Sequence, residues 1–93
     1  MTDIRDATER SRFELDSSGA VAFVTYRLDG GTLALLHTEV PDALAGQGIG
    51  SRLARGVLDL ARARGLRVVP ECSFIASWID RHPAYADLLA DRA

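Results

Sequence analysis

Glycines at 46, 48 and 50, a cysteine at 72 and a histidine and glutamate at 37 and 39 are the residues of this 93-residue chain whose types and spacing could do chemistry. Val40-Pro41-Asp42-Ala43-Leu44-Ala45-Gly46-Gln47-Gly48-Ile49-Gly50-Ser51-Arg52-Leu53 reads as an extended segment running through a glycine-rich loop into a helix. Glycine removes the Cβ where a backbone must approach a ligand, and a helix start offers unpaired N–H groups and a positive dipole end. Residues 46–51 are therefore expected to cradle a phosphate. Cys72 follows a β-rich run and precedes a second helix, a placement that lowers a thiol pKa and favours the nucleophilic thiolate. A buried structural cysteine is the competing reading. Glu39 stands at a strand end beside the loop, as a proton acceptor or as a solvated carboxylate. His37, two residues earlier and so expected on the same strand face, could pair with Cys72 or Glu39, or simply pack.

These residues need elements to position them. Phe13-Glu14-Leu15 and Ala20 to Arg27 are β-rich and separated by Asp16-Ser17-Ser18-Gly19. After Asp29-Gly30-Gly31-Thr32, Leu33 to Val40 makes a third strand. From Ile49 the period changes to 3.6: Ile49, Leu53, Val57, Leu60 and Ala61 share one helical face, and Arg52, Arg55, Asp59 and Arg62 share another. Gly65 is placed as a left-handed C-cap, and Leu66-Arg67-Val68-Val69 starts a fourth strand. A right-handed crossover makes the third and fourth strands parallel, with their carboxyl ends, the loop and Cys72 at one sheet edge. Ile75, Trp78 and Ile79 form the stripe of a second helix that His82-Pro83 ends. The fold class expected is α/β (α+β): an antiparallel meander in a mixed sheet of about four strands, a β-α-β crossover and a C-terminal helix. Residues 1–10 read as a flexible segment ahead of one domain over 11–93.

The glycine spacing fits the dinucleotide fingerprint only if Ser51 replaces its last glycine, and a Walker loop needs a lysine, which the chain lacks. It resembles the pyrophosphate loop of the GCN5-related N-acetyltransferases (GNAT), Gln/Arg-x-x-Gly-x-Gly/Ala, whose end is matched by Gly48-Ile49-Gly50. His37-Thr38-Glu39-Val40-Pro41, Val69-Pro70-Glu71-Cys72-Ser73-Phe74 and Arg81-His82-Pro83-Ala84-Tyr85 extend the resemblance, over residues 12 to 89, to the minimal single-domain GNAT-like proteins. The resemblance implies a compact GNAT-like fold, acetyl-CoA (coenzyme A) as cofactor and an amine as acceptor. It implies acetyl transfer either directly or through an acetyl-Cys72 intermediate, with Cys72, Glu39 and His37 as catalytic candidates. Thr38, Glu39 and Val40 would pair with pantetheine, and Gly46, Gln47, Gly48, Ile49, Gly50, Ser51 and Arg52 would hold pyrophosphate. Ala45 stands where the family carries Gln or Arg, so a side-chain contact is missing; main-chain donors of residues 46 to 51 would still cradle the pyrophosphate, and Arg52 or Arg55 could supply charge instead. Binding of acyl-CoA without turnover is the alternative. Tyr85 could protonate the CoA thiolate or pack.

Bulk composition narrows the classes. Net charge of −2 argues against a nucleic-acid surface, and no apolar run approaches a membrane span. The polar, mixed-charge amino terminus argues against a secretory signal, so a cytoplasmic location is expected. One cysteine excludes an intrachain disulfide, and two histidines without close-spaced partners give no metal pattern. Ser51 belongs to the loop and Ser73 is placed as an N-cap, so no serine triad is assigned. Exposed sheet edges leave room for a homodimer.

Overall fold

Turns at 18–19 and 30–31 fold the first half of the chain into a meander. The computed structural model, which describes residues 4–90, consists of β1 (Ile4–Ala7), β2 (Arg12–Ser17), β3 (Ala20–Asp29), β4 (Thr32–Glu39), α1 (Ile49–Ala63), β5 (Arg67–Pro70) and α2 (Ser73–Arg81). A 3₁₀ segment, Pro83–Leu88, follows α2. The sheet order is β1-β2-β3-β4-β5, with β4 and β5 parallel and the other pairs antiparallel.

The sheet has one strand beyond the four expected, built from residues read as preceding the domain. Ile4 lies opposite Leu15 and Asp6 opposite Phe13. Asp6 accepts hydrogen bonds from the Tyr26 hydroxyl at 2.7 Å and from Arg64 at 2.8 Å, so its carboxylate ties β1 to β3 and α1. Burial, then the bond to Asp6, pushes the Tyr26 pKa up to about 12. Polar side chains with defined partners recruit this strand, which is why a search for apolar alternation passes over it.

Helix α1 buries Ile49, Leu53, Val57 and Ala61 as its periodicity requires, and also Ala54, Gly56 and Leu58, against a core of Phe13, Leu15, Val24, Leu33 and Leu35. Gly65, at φ +69, ends it: the Leu66 amide bonds to Ala61 O at 2.9 Å and the Gly65 amide to Arg62 O at 3.1 Å, the paired bonds of a Schellman cap. Helix α2 packs beside α1 and over β4 and β5, burying Ile75, Trp78 and Ile79. Trp78 is the largest fully buried side chain.

One irregularity decides which side chains meet. Tyr26 pairs with Leu35, yet Thr25 pairs with His37, so Leu36 is an extra residue in β4 and the pairing contains a bulge. Strand side chains alternate between faces, and the extra residue reverses the parity. Leu33 and Leu35 face the core, and past the bulge Thr38 does so too, opposite the fully buried Val24. His37 and Glu39 are turned to the opposite face, against Thr25 and Phe23.

Candidate functional site

Strand β4 outlasts its parallel neighbour. Pairing with β5 ends at Leu35 opposite Pro70, while β4 continues to Glu39. Beyond Pro70 the Cys72 amide still bonds to Leu35 O at 3.0 Å, after which the chain turns into α2. Residues 36–39 thus run past the end of β5 at the sheet edge where the glycine loop begins.

The loop opens with a 3₁₀ turn over Asp42–Leu44, anchored by the buried Leu44, and the Gln47 amide group donates to Ala43 O at 3.3 Å. Gly48 is the N-cap of α1 at φ +72, a left-handed conformation that side chains strain to adopt. The first amide to bond back is that of Arg52, to Gly48 O at 3.1 Å. Among the described residues, no amide from Gly46 to Ser51 donates to another main-chain carbonyl. Gly46 and residues 48–51 line a cleft of about 380 Å³ between the loop and α2, whose walls also include Val40, Phe74, Arg81 and His82.

The three loop glycines serve different ends. At Gly46 and Gly48 an added Cβ would meet nothing, and backbone conformation is what requires glycine there. At Gly50 an added Cβ would lie 2.9 Å from the Phe74 ring. The missing side chain at 50 therefore makes room for the Phe74 ring of the same chain. Next to it, the Trp78 indole N–H donates to Ser51 Oγ at 2.9 Å, leaving the serine's own hydrogen free for an acceptor in the cleft.

Cys72 and Thr38 meet where β4 passes α2, with Cys72 Sγ 3.2 Å from Thr38 Oγ1. Cys72 is half-buried and is itself the N-cap of α2, so Ser73, expected to cap, is the first helical residue instead. Burial pushes the thiol pKa up. The Thr38 hydroxyl and the amides of Ile75, Phe74 and Thr38 outweigh it, holding the thiol below its ordinary value. No tight capping bond closes at Cys72, so the helix amides act on the sulfur by their orientation.

His37 and Glu39 are brought together but away from this group. Their side chains pair at 3.0 Å and are 62% and 59% exposed, on the face opposite Thr38 and Cys72. The expected pairing of His37 with Glu39 is present; a pairing with Cys72 is not. Of the charges expected to replace the residue missing at Ala45, Arg55 lies 5.3 Å from the Trp78 ring and 3.5 Å from the Tyr85 hydroxyl. Arg52 is exposed on the first turn of α1 and also has a partner. Tyr85 donates to Asp59 at 2.8 Å, and burial followed by that bond raises its pKa, so its proton is held by Asp59. Phe74, Trp78 and Arg81 were not read from the sequence as site residues; the signal present was the position of all three on α2, one, five and eight residues from Ser73. Among the described residues no three His, Cys, Asp or Glu side chains cluster as metal ligands, and no helix is long and apolar enough to cross a membrane.

Residues 12–88 match the family model described as GCN5-related N-acetyl-transferase. The chain belongs to that family. GNAT membership accords with the fold: the solution NMR structure of a GCN5-like protein from Staphylococcus aureus superposes with a TM-score of 0.72 at 30% identity, covering 100% of this chain and 94% of that one. Protein NATD1 of Xenopus tropicalis is 36% identical over 52 residues, 56% of this chain and 48% of that protein. Protein NATD1 of Bos taurus is 41% identical over 49 residues, 53% of this chain and 43% of that protein. The matched region thus spans about half the length of these curated relatives.

Proposed function

We propose that this GNAT chain binds acetyl-CoA in the cleft between the glycine loop and α2 and transfers the acetyl group to an amine by way of Cys72. The observation that carries the reading is the run of unpaired amides from Gly46 to Ser51 beside that cleft. A diphosphate would accept from them and from the Ser51 hydroxyl, with the α1 dipole adding to the attraction. Val40 lines the cleft and Thr38 lies two residues earlier on the same face, so pantetheine laid along β4 past the end of β5 would carry its thioester toward Cys72.

Membership in the family supports acetyl transfer, and the geometry favours Cys72 over Glu39 or His37 as the reacting group. The Cys72 thiolate would attack the thioester carbonyl, forming a bond from Sγ to the acetyl carbon. The tetrahedral adduct collapses as the carbon–sulfur bond to CoA breaks, and the CoA thiolate leaves. A neutral amine then attacks acetyl-Cys72, loses a proton to solvent and releases the thiolate. Amides at the start of α2 stabilise the charge on Sγ before and after each cycle.

Binding without transfer is the second reading, favoured by the absence of any carboxylate among the described residues that wall the cleft. Calorimetric titration with acetyl-CoA tests the site: wild type should bind saturably and Gly48→Trp should not, with circular dichroism confirming that the variant is folded. No saturable binding by wild type would overturn the reading. Mass spectrometry after incubation with acetyl-CoA then separates the two activities. An acetyl adduct on Cys72, lost in Cys72→Ala, is expected; binding without adduct or acetylated amine would leave the binding module.

A further inference from the structure

The arginines are distributed unevenly between paired and unpaired. Arg5, Arg10, Arg12, Arg27, Arg62 and Arg64 pair with carboxylates, Arg67 donates to Leu89 O, Arg55 reaches the Tyr85 hydroxyl, and Arg52 too has a partner. Arg81 has no ion pair or hydrogen bond among the described residues, and it lines the cleft. His82, beside it, is held in a fixed pose. Its ring stacks on Trp78 with centroids 3.7 Å apart and planes within 12°, and its Nδ1 lies 2.7 Å from Trp78 O. A carbonyl only accepts, so Nδ1 carries the hydrogen; Nε2 has no partner among the described residues, and the ring lines the cleft.

Trp78 therefore braces two walls at once: its indole N–H fixes Ser51 on the loop side, and its ring and carbonyl fix His82 on the other. We propose that Arg81 and His82 form a second phosphate subsite, which takes the ribose 3′-phosphate of CoA and lets the domain distinguish CoA from 3′-dephospho-CoA. The inference rests on the acetyl-CoA reading above. CoA carries a diphosphate and a separate phosphomonoester, and the cleft offers one set of main-chain donors and one unpaired guanidinium on facing walls. A guanidinium meets a phosphate with two parallel N–H donors, and protonated imidazole adds a third donor. A cation in the last turn of α2 would also favour that helix's dipole, but this bland role predicts no preference between nucleotides.

Titration of wild type, Arg81→Ala and His82→Phe with CoA and with 3′-dephospho-CoA tests the proposal. Wild type should bind CoA about tenfold more tightly, the size of one charge-assisted hydrogen bond or more. Arg81→Ala should bind CoA about as weakly as wild type binds 3′-dephospho-CoA, and the wild-type preference should shrink as salt is raised. His82→Phe keeps the stack and should lose a smaller part of the preference. Equal affinities of wild type for the two nucleotides, or an undiminished preference in Arg81→Ala, would overturn this subsite while leaving the acetyl-CoA reading intact. If wild type binds neither nucleotide, both fall. Arg81 is exposed, so its variant is expected to fold, and the Arg81 comparison decides the matter if His82→Phe does not.

Discussion

The two faces of the sheet use charge in opposite ways. On one, Glu14 is 1% exposed yet paired with Arg5, Arg10 and Arg12, the last at 2.6 Å, and Arg12 also lies 4.1 Å over the Phe23 ring. Donors and acceptors there satisfy one another, and no buried side-chain polar atom among the described residues lacks a partner. Around the cleft the balance is reversed: the amides from 46 to 51, the Ser51 hydroxyl and Arg81 are all donors, and no carboxylate among the described residues meets them. A folded protein leaves such donors unpaired only where water or a ligand reaches them. The comparison separates donors and acceptors that satisfy one another within the fold from donors left open at the cleft.

The largest effect expected from breaking this contrast is on stability. Glu14→Leu leaves three arginines facing one another and should lower unfolding stability by about 2–3 kcal/mol, less than a fully buried pair because the arginines reach solvent. Chemical denaturation measures this, and acetyl-CoA affinity should be unchanged; an affinity loss would blur the two regions. The same carboxylate gives a pH dependence. The Arg12 hydrogen bond, opposed by burial and aided by Arg5, holds the Glu14 pKa below its ordinary value. A depressed carboxylate stabilises the fold above its unfolded pKa of about 4.3, and that contribution disappears as pH falls through the lower folded value. Denaturation midpoints should drop more steeply below about pH 4.3 in wild type than in Glu14→Gln.

On the cleft side the effects are on binding. Ser51→Ala removes one phosphate donor and leaves the Trp78 N–H without its acceptor, so acetyl-CoA affinity should fall about tenfold, with about 1 kcal/mol lost from stability. Unchanged affinity would remove Ser51 from the site. A smaller effect sharpens the reading of Cys72. Thr38→Val deletes the hydroxyl that favours the thiolate, so the pH midpoint for iodoacetamide alkylation should rise and the rate at pH 7 should fall. An unmoved midpoint would show that the helix amides act alone. Smallest of all is His37→Ala, on the far face, which should change acetyl-CoA affinity and Cys72 acetylation by less than about twofold. A tenfold loss would show that the bulge does not separate His37 from the chemistry.

Much of the fold was legible because it rests on local chemistry. The 3.6-residue period of Ile49, Leu53, Val57 and Ala61, the Gly65 cap and the turns before Ala20 and Leu33 each act over a few residues, and each is where expected. The loop from Gly46 to Ser51 was legible for the same reason, since glycine before a helix is a short-range signal. Strand β1 was not, because Asp6 is held by Tyr26 and Arg64, far away in the chain. The packing of Phe74 against Gly50 was not legible either, a contact across 24 positions that no spacing rule contains.

By itself the amino-acid order determined the sheet's antiparallel start, the amphipathic helices, the glycine-rich loop that leads into α1 and the placement of Cys72 at a helix start, since each follows from the backbone preferences and periodicity of neighbouring residues. Tertiary structure decided the partners. A single extra residue at Leu36 sends His37 and Glu39 to one face and joins Thr38 to Cys72, and packing of α2 on α1 sets Trp78 between Ser51 and His82. Alternation along a strand carries no mark of where pairing slips by one residue, because the bulge is fixed jointly by β3 and the core on which β4 packs.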